Sequence, residues 1–188
     1  MLVLLVGLIE VFLGGTLRSK YAGGFSGGRF VDFVSWCRSG GDPFAGRSAP
    51  PAGIFKLNVD ATWNKSSGRF GLGIVVRQVR GDVVLAAALS FKGGTDMAVA
   101  EARAVLEGLV LAGSRGFCPL LAESNCLELV NLCNERESYL CDIDNVISDI
   151  RFTLGCFDVV SISHVPRAFN SVVHGIARWA LSFSNFIN

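Results

Sequence analysis

Six polar side chains in an otherwise apolar chain are of types that do chemistry: Asp60, Glu101, Asn125, His164, Asn170 and His174. Carboxylates suit hard cations and exchange protons, an amide offers a carbonyl and two N–H donors, and histidine titrates near neutral pH. Most of them also have an ordinary structural reading. Asp60 lies on the polar face of an alternating stretch, where a solvent-facing carboxylate is common. Glu101 falls in the first turn or two of an alanine-rich helix, where a negative side chain favours the helix dipole by about 0.3–1 kcal/mol. Asn125 precedes Glu128 by three residues, the spacing of a helix cap. His174 is four residues after Asn170 and four before Arg178, a polar stripe that a solvated helix face also shows. Taken singly, none of these residues specifies a reaction.

The elements that must position them can be read from periodicity. Phe55, Leu57 and Val59 alternate with Lys56, Asn58 and Asp60, which predicts a strand. Asn64 to Gly68 is a polar turn, and Gly71 to Val76 is a second strand whose Gly71 and Gly73 suit a close backbone approach. Arg80-Gly81-Asp82 leads into a third strand, Val83 to Phe91, completing an antiparallel meander. Gly93-Gly94 breaks the pattern, Thr95 or Asp96 caps, and Ala98 to Ala112 is helical with Leu106, Leu109 and Val110 apolar. Cys118 to Ala122 reads as a short buried strand, followed by a helix beginning at Leu127, Leu129 and Val130. Asp142 to Leu154 is amphipathic, Phe157 to Ser163 alternates again, and Phe169, Val172, Val173, Ile176 and Ala180 form the apolar side of a terminal helix. The order βββαβααβα predicts an α/β domain on a mixed five-stranded sheet, a three-strand antiparallel meander plus two strands, flanked by helices.

Composition sets the frame. The chain has 188 residues, 51% hydrophobic and 18% charged, with net charge +1 and mean hydropathy +0.46. This excludes a disordered tail, a collagen-like repeat and a strongly basic nucleic-acid binder held mainly by charge. Residues 1–53 hold 11 of the 22 glycines and five Lys/Arg against three carboxylates, a net +2, which leaves −1 for the rest. With Pro50-Pro51 as a stiff connector, residues 1–49 are expected to be a weakly ordered leader, residues 50–184 the domain and 185–188 a tail. Met1 to Leu13 is apolar except for Gly7 and Glu10 and too short to span a bilayer, and no Lys or Arg precedes Arg18, so neither a membrane anchor nor a secretory signal over residues 1–15 is expected. The six cysteines form no CxxC pair and no Cys/His metal spacing, so reduced thiols in an intracellular protein, cytoplasmic or nuclear, are the expectation.

Four motifs, in order, change the weight of the single residues. They are Phe55-Lys56-Leu57-Asn58-Val59-Asp60-Ala61, then Ala100-Glu101-Ala102-Arg103-Ala104, then Ala122-Glu123-Ser124-Asn125-Cys126-Leu127-Glu128-Leu129-Val130, and finally Ser163-His164-Val165-Pro166-Arg167-Ala168-Phe169-Asn170-Ser171-Val172-Val173-His174. From about Pro50 to Leu181 the chain resembles the ribonuclease H (RNase H) domain in its reverse-transcriptase-like form, common in plant retroelement-derived proteins. The resemblance implies an RNase H-like fold and a metal-dependent endonuclease that cleaves the RNA strand of RNA–DNA hybrids. It also implies Mg²⁺ as cofactor, usually two ions. Two metals about 4 Å apart activate water and stabilise charge on both the attacking and the leaving oxygen.

The resemblance assigns roles residue by residue. Asp60 matches the first family carboxylate and Glu101 the second, both as metal ligands, and His164 matches a histidine that assists proton transfer or product release. His174 stands where many RNases H have a fourth carboxylate; histidine there looks usual for the plant type and gives a second proton-transfer candidate. Asn125 stands at the third carboxylate, in a motif that usually reads Glu-Ser-Asp, and offers one carbonyl as a weak ligand without the charge. Glu123, on the same side of that strand, is an alternative source of the missing charge. The implied partner is an RNA–DNA hybrid or another nucleic acid, with no obligate protein partner and no membrane. Lys65, Arg69, Arg103, Arg167 and Asn170, together with Lys56 and Arg77, are the candidate phosphate contacts. The alternative to an active hydrolase is a catalytically silent nucleic-acid-binding module derived from a retroelement.

Overall fold

The computed structural model describes residues 8–11, 18–19, 49–93, 96–134, 143–157 and 160–182. The alternation of residues 55–60 continues further than expected, so the strand β3 (Phe55–Asn64) carries Asp60 at its middle. The Asn64 carboxamide accepts from the N–H groups of Ser66 and Ser67 at 3.1 and 3.2 Å, closing the turn into β4 (Arg69–Arg77). A short 3-10 turn, Val79–Gly81, leads into β5 (Val83–Lys92). These three strands are the expected antiparallel meander. The strands β6 (Leu120–Ser124) and β7 (Val160–His164) join parallel on the β3 side. Two further strands, β1 (Leu8–Val11) and β2 (Arg18–Ser19), come from the segment where nothing regular was expected. β1 pairs antiparallel with β5, and the sheet order among the described residues is β2-β1-β5-β4-β3-β6-β7.

One face of the sheet is covered by α1 (Met97–Ser114), α2 (Leu127–Asn134) and α3 (Ile143–Leu154). Asp96 caps α1, its carboxylate accepting from Ala98 N–H at 2.9 Å. The alanine content of α1 is what lets it lie close to β3. Ala100, Ala102, Ala104 and Ala112 are buried beside Val105 and Leu109, and a Cβ at Gly108 would run into Val59 and Leu57. Leu57, Val59 and Leu109 are fully buried, each stabilising the fold by about 1.5–3 kcal/mol.

The opposite face carries α4 (Ser171–Ala180), which follows a 3-10 turn, Arg167–Asn170, where the sequence suggested continuous helix from Phe169. α4 packs Val173, Ile176 and Ala180 on Val75, Val83, Ala86 and Ala88. The expectation for Gly71 and Gly73 holds, and the approaching backbone belongs to this helix. A Cβ at Gly71 would strike Ala177 O, and one at Gly73 would strike Val173 O. The absent side chains thus bring the start of α4 down onto the sheet beside Asp60. Among the described residues no helix is long and apolar enough to cross a membrane. Cys118, Cys126, Cys133 and Cys156 are free thiols; Cys37 and Cys141 lie outside the described residues.

Candidate active site

Asp60 occupies the centre of β3, opposite Gly73 of β4, and is 2% exposed. The parallel ladder between β3 and β6 ends at Val59 and Ser124, so Asn125 emerges from β6 beside Asp60. Glu101 reaches the same place from α1, its Oε2 accepting from Ala61 N–H at 3.2 Å. His174 arrives from α4 with Nδ1 2.7 Å from Asp60 Oδ2. The structure therefore gathers Asp60, Glu101, Asn125 and His174, drawn from one strand, the turn that follows another, and two helices.

Hydrogen-bond chemistry fixes how these groups are oriented. A backbone carbonyl only accepts, so the Asn170 group 2.7 Å from Val59 O is its Nδ2. The same Nδ2 donates to Asn125 Oδ1 at 2.7 Å. With its carbonyl thus engaged, Asn125 turns its own N–H donors toward the Asp60 carboxylate, which it hydrogen bonds. Asn170 is fully buried, and its Oδ1 has no hydrogen-bond partner among the described residues. On the other flank, Arg167 Nη2 lies 3.5 Å from His174 Nε2. A carboxylate accepts, so His174 Nδ1–H is the donor to Asp60, and Nε2 is the ring atom that faces the Arg167 guanidinium.

Burial pushes the Asp60 carboxyl above its ordinary value, against the opposing pull of His174, Arg167 and Asn125. Burial, reinforced by the Asp60 charge, pushes Glu101 from 4.5 to about 8, although Ala61 N–H and Arg167 act the other way. Two carboxyls raised by burial, one of them further by the charge of the other, form a site whose electrostatics favour a cation.

The remaining candidates divide by exposure. His164 is exposed at the end of β7, in register with Ser124, and takes no part in the hydrogen-bonded chain around Asp60. Lys65 and Arg167 are exposed. The Lys65 ammonium lies 5.4 Å from the centre of the Trp63 ring. Arg69 is half-buried and bonds Ser90 Oγ at 3.1 Å, and Arg103 is half-buried on α1 near Glu107. Asn170 is different. Its complete burial removes it from the phosphate contacts and makes it an internal strut.

Lys56 and Arg77 are likewise buried, and they account for Glu123. Glu123 Oε1 is 2.8 Å from Lys56 Nζ, and Oε2 accepts from Asn58 Nδ2 at 2.8 Å with Arg77 Nη2 at 3.7 Å. Arg77 Nε in turn donates to Asn58 Oδ1 at 3.1 Å. Glu123 is thus committed to this cluster, on the same sheet face as Asp60 but further back along the strands, and does not substitute for Asn125 at the site. The helix-cap reading of Asn125 also gives way. Ser124 Oγ accepts from Cys126 N–H at 3.1 Å, while the Asn125 amide faces Asn170 and Asp60. A clue was present in the sequence: three charged residues and an amide at inward strand positions require one another as partners.

The donor set fits one hard divalent ion. Mg²⁺ is commonly bound through one or two carboxylates together with substrate phosphate, and Asp60 and Glu101 supply two. It does not fit a second ion in the same way, because Asn125 presents N–H groups and His174 stands as a donor to Asp60. Among the described residues no group of three His, Cys, Asp or Glu side chains is placed to hold a metal together.

The comparisons with known proteins agree with this architecture. The family model described as reverse transcriptase-like matches residues 58–180. No curated protein matches the sequence. Among solved structures, RNase H1 from the archaeon Halobacterium salinarum is similar with TM-score 0.62 and 25% identity over 69% of this chain and 98% of its own. LC11-RNase H1, solved in complex with RNA/DNA hybrid, gives TM-score 0.61 and 16% identity over 68% of this chain and 96% of its own. The protease-reverse transcriptase of prototype foamy virus gives TM-score 0.56 and 14% identity over 76% of this chain and 22% of its own.

Proposed function

Because the chain belongs to the reverse transcriptase-like family and has the RNase H-like fold, we propose that it binds RNA–DNA hybrids and cleaves their RNA strand by divalent-metal-dependent hydrolysis. The observation that carries this reading is the pair of buried carboxyls, Asp60 at the middle of β3 and Glu101 reaching the next residue of that strand from α1. Mg²⁺ is the cofactor in this reading, held by Asp60 and Glu101; when bound it polarises a phosphoryl oxygen and lowers the pKa of water. Glu101 is oriented by Ala61 N–H, and Asp60 is oriented by His174 and Asn125. Arg167, exposed above His174, is placed to take a phosphate oxygen of the substrate backbone, with Lys65, Arg69 and Arg103 as outer contacts. Such contacts read the shape and phosphates of a hybrid rather than its base sequence. His164, exposed at the rim, is the group free to carry a proton to or from the leaving oxygen. The domain in this reading is residues 50–184.

A second reading, a binding module without hydrolysis, is favoured by the amide at position 125. A labelled RNA–DNA hybrid incubated with the full chain and Mg²⁺ tests both. The hydrolase reading expects RNA-strand cleavage that disappears with Asp60→Asn; cleavage that survives this change refutes the assigned site. Binding of the hybrid without cleavage, with cleavage appearing in Asn125→Asp, establishes the silent module instead.

A further inference from the structure

The groups around Asp60 and Glu101 are arranged as though one of two metal positions had been filled by protein. Asp60 accepts from His174 on one side and from Asn125 on the other. The Asn125 carbonyl, the one atom of that residue able to ligate a cation, accepts from Asn170 at 2.7 Å. Asn170 cannot turn to release it, because its Nδ2 is also fixed to the Val59 carbonyl, an obligate acceptor, and the side chain is fully buried. The orientation therefore runs in one direction, from the backbone of β3 through Asn170 to Asn125 and on to Asp60. Glu123, the other carboxylate on that strand, is held by Lys56 and Asn58.

We propose that the centre of this chain holds a single divalent ion, on Asp60 and Glu101, and that Asn125 is a hydrogen-bond donor to Asp60 whose carbonyl is held toward Asn170, with its N–H groups on the side of the ion. The inference rests on the metal-dependent reading above and deepens it. Asn125 and Asn170 are positioning residues. With one ion the charge on one of the two reacting oxygens falls to protein donors, and Arg167 is the cation nearest to hand, within 3.5 Å of His174.

The test uses Mn²⁺ in place of Mg²⁺, with the full chain bound to a hybrid whose RNA strand is 2′-O-methylated and resists cleavage. Two adjacent Mn²⁺ ions give a spin-coupled electron paramagnetic resonance spectrum, and one ion gives an isolated six-line spectrum. The native chain should show one isolated ion, lost in both Asp60→Asn and Glu101→Gln. Asn125→Asp, which gives residue 125 an anionic oxygen beyond the one Asn170 holds, should show the coupled pair. A coupled pair in the native chain, no protein-bound ion, or an ion that survives both carboxylate changes overturns the proposal. So does a folded Asn125→Asp chain that keeps the isolated spectrum; if that variant does not fold, the native and carboxylate spectra decide alone. Cleavage of an unmodified hybrid is scored separately. Cleavage with a coupled pair overturns the single-ion inference and leaves the nuclease reading standing, whereas an isolated ion without cleavage does the reverse.

Discussion

Glu101→Gln should make the metal-free protein more stable at alkaline pH, a direction opposite to that of most substitutions of buried polar residues. Glu101 is 7% exposed, and burial together with the Asp60 charge raises it from 4.5 to about 8. The folded chain therefore keeps this proton up to about pH 8, whereas the unfolded chain releases it near 4.5. Between those values the folded state binds more protons than the unfolded one, so stability falls as pH rises. The gap, at 1.36 kcal/mol per pH unit, corresponds to a loss of order 5 kcal/mol above pH 8. Glutamine has similar shape, can still accept from Ala61 N–H, and carries no charge to desolvate. Thermal melts in EDTA should give similar Tm values for native and variant near pH 5. At pH 8.5 the variant should be ahead by about 10–20 °C. Mg²⁺ should then raise the native Tm at pH 8.5 and leave the variant nearly unchanged, because the ion needs the carboxylate that glutamine lacks. Parallel curves from pH 5 to 9 would refute the assignment of Glu101 as a buried, charge-opposed carboxyl.

Three further outcomes follow from the packing. Gly73→Ala places a Cβ against Val173 O and Ala177 N and must lift α4, so it should cost about 1–3 kcal/mol in urea unfolding and weaken hybrid cleavage by displacing His174. Glu123→Ala removes the carboxylate shared by Lys56, Arg77 and Asn58 and should cost about 3–5 kcal/mol by the same measurement, although it lies outside the proposed metal site. Cys133 is buried, with its thiol pushed up to about 12, whereas Cys156 is exposed. Iodoacetamide followed by mass spectrometry should modify Cys156 in the folded chain and Cys133 only after unfolding.

Much of this protein was legible from its sequence. Alternation at Phe55–Asp60, the alanine-rich run from Ala98 and the breaks at glycine pairs are local signals, and local signals dictate strands, helices and their order. The same is true of Gly71 and Gly73, since a strand glycine implies that something comes close, although only the fold shows that it is the backbone of α4. The two strands at Leu8–Val11 and Arg18–Ser19 carried no such signal, because their place depends on pairing with the edge of β5, far along the chain.

The site divides in the same way. Four motifs in order, through their resemblance to the RNase H domain, nominated Asp60, Glu101, Asn125 and His174 and implied that the family's third carboxylate is an amide at position 125. What the amide does there was decided by tertiary structure alone. Asn170 and Asn125 are 45 residues apart in sequence, and Asn170 and Val59 are 111 apart. Asn170 looked like a surface contact and Asn125 like a helix cap, because a sequence states how many hydrogen bonds a side chain can make but not which partners the fold will present. Burial then turned a possible ligand into a fixed donor and raised the two carboxyls beside it, since both effects arise from the low-dielectric surroundings that only the packed molecule creates.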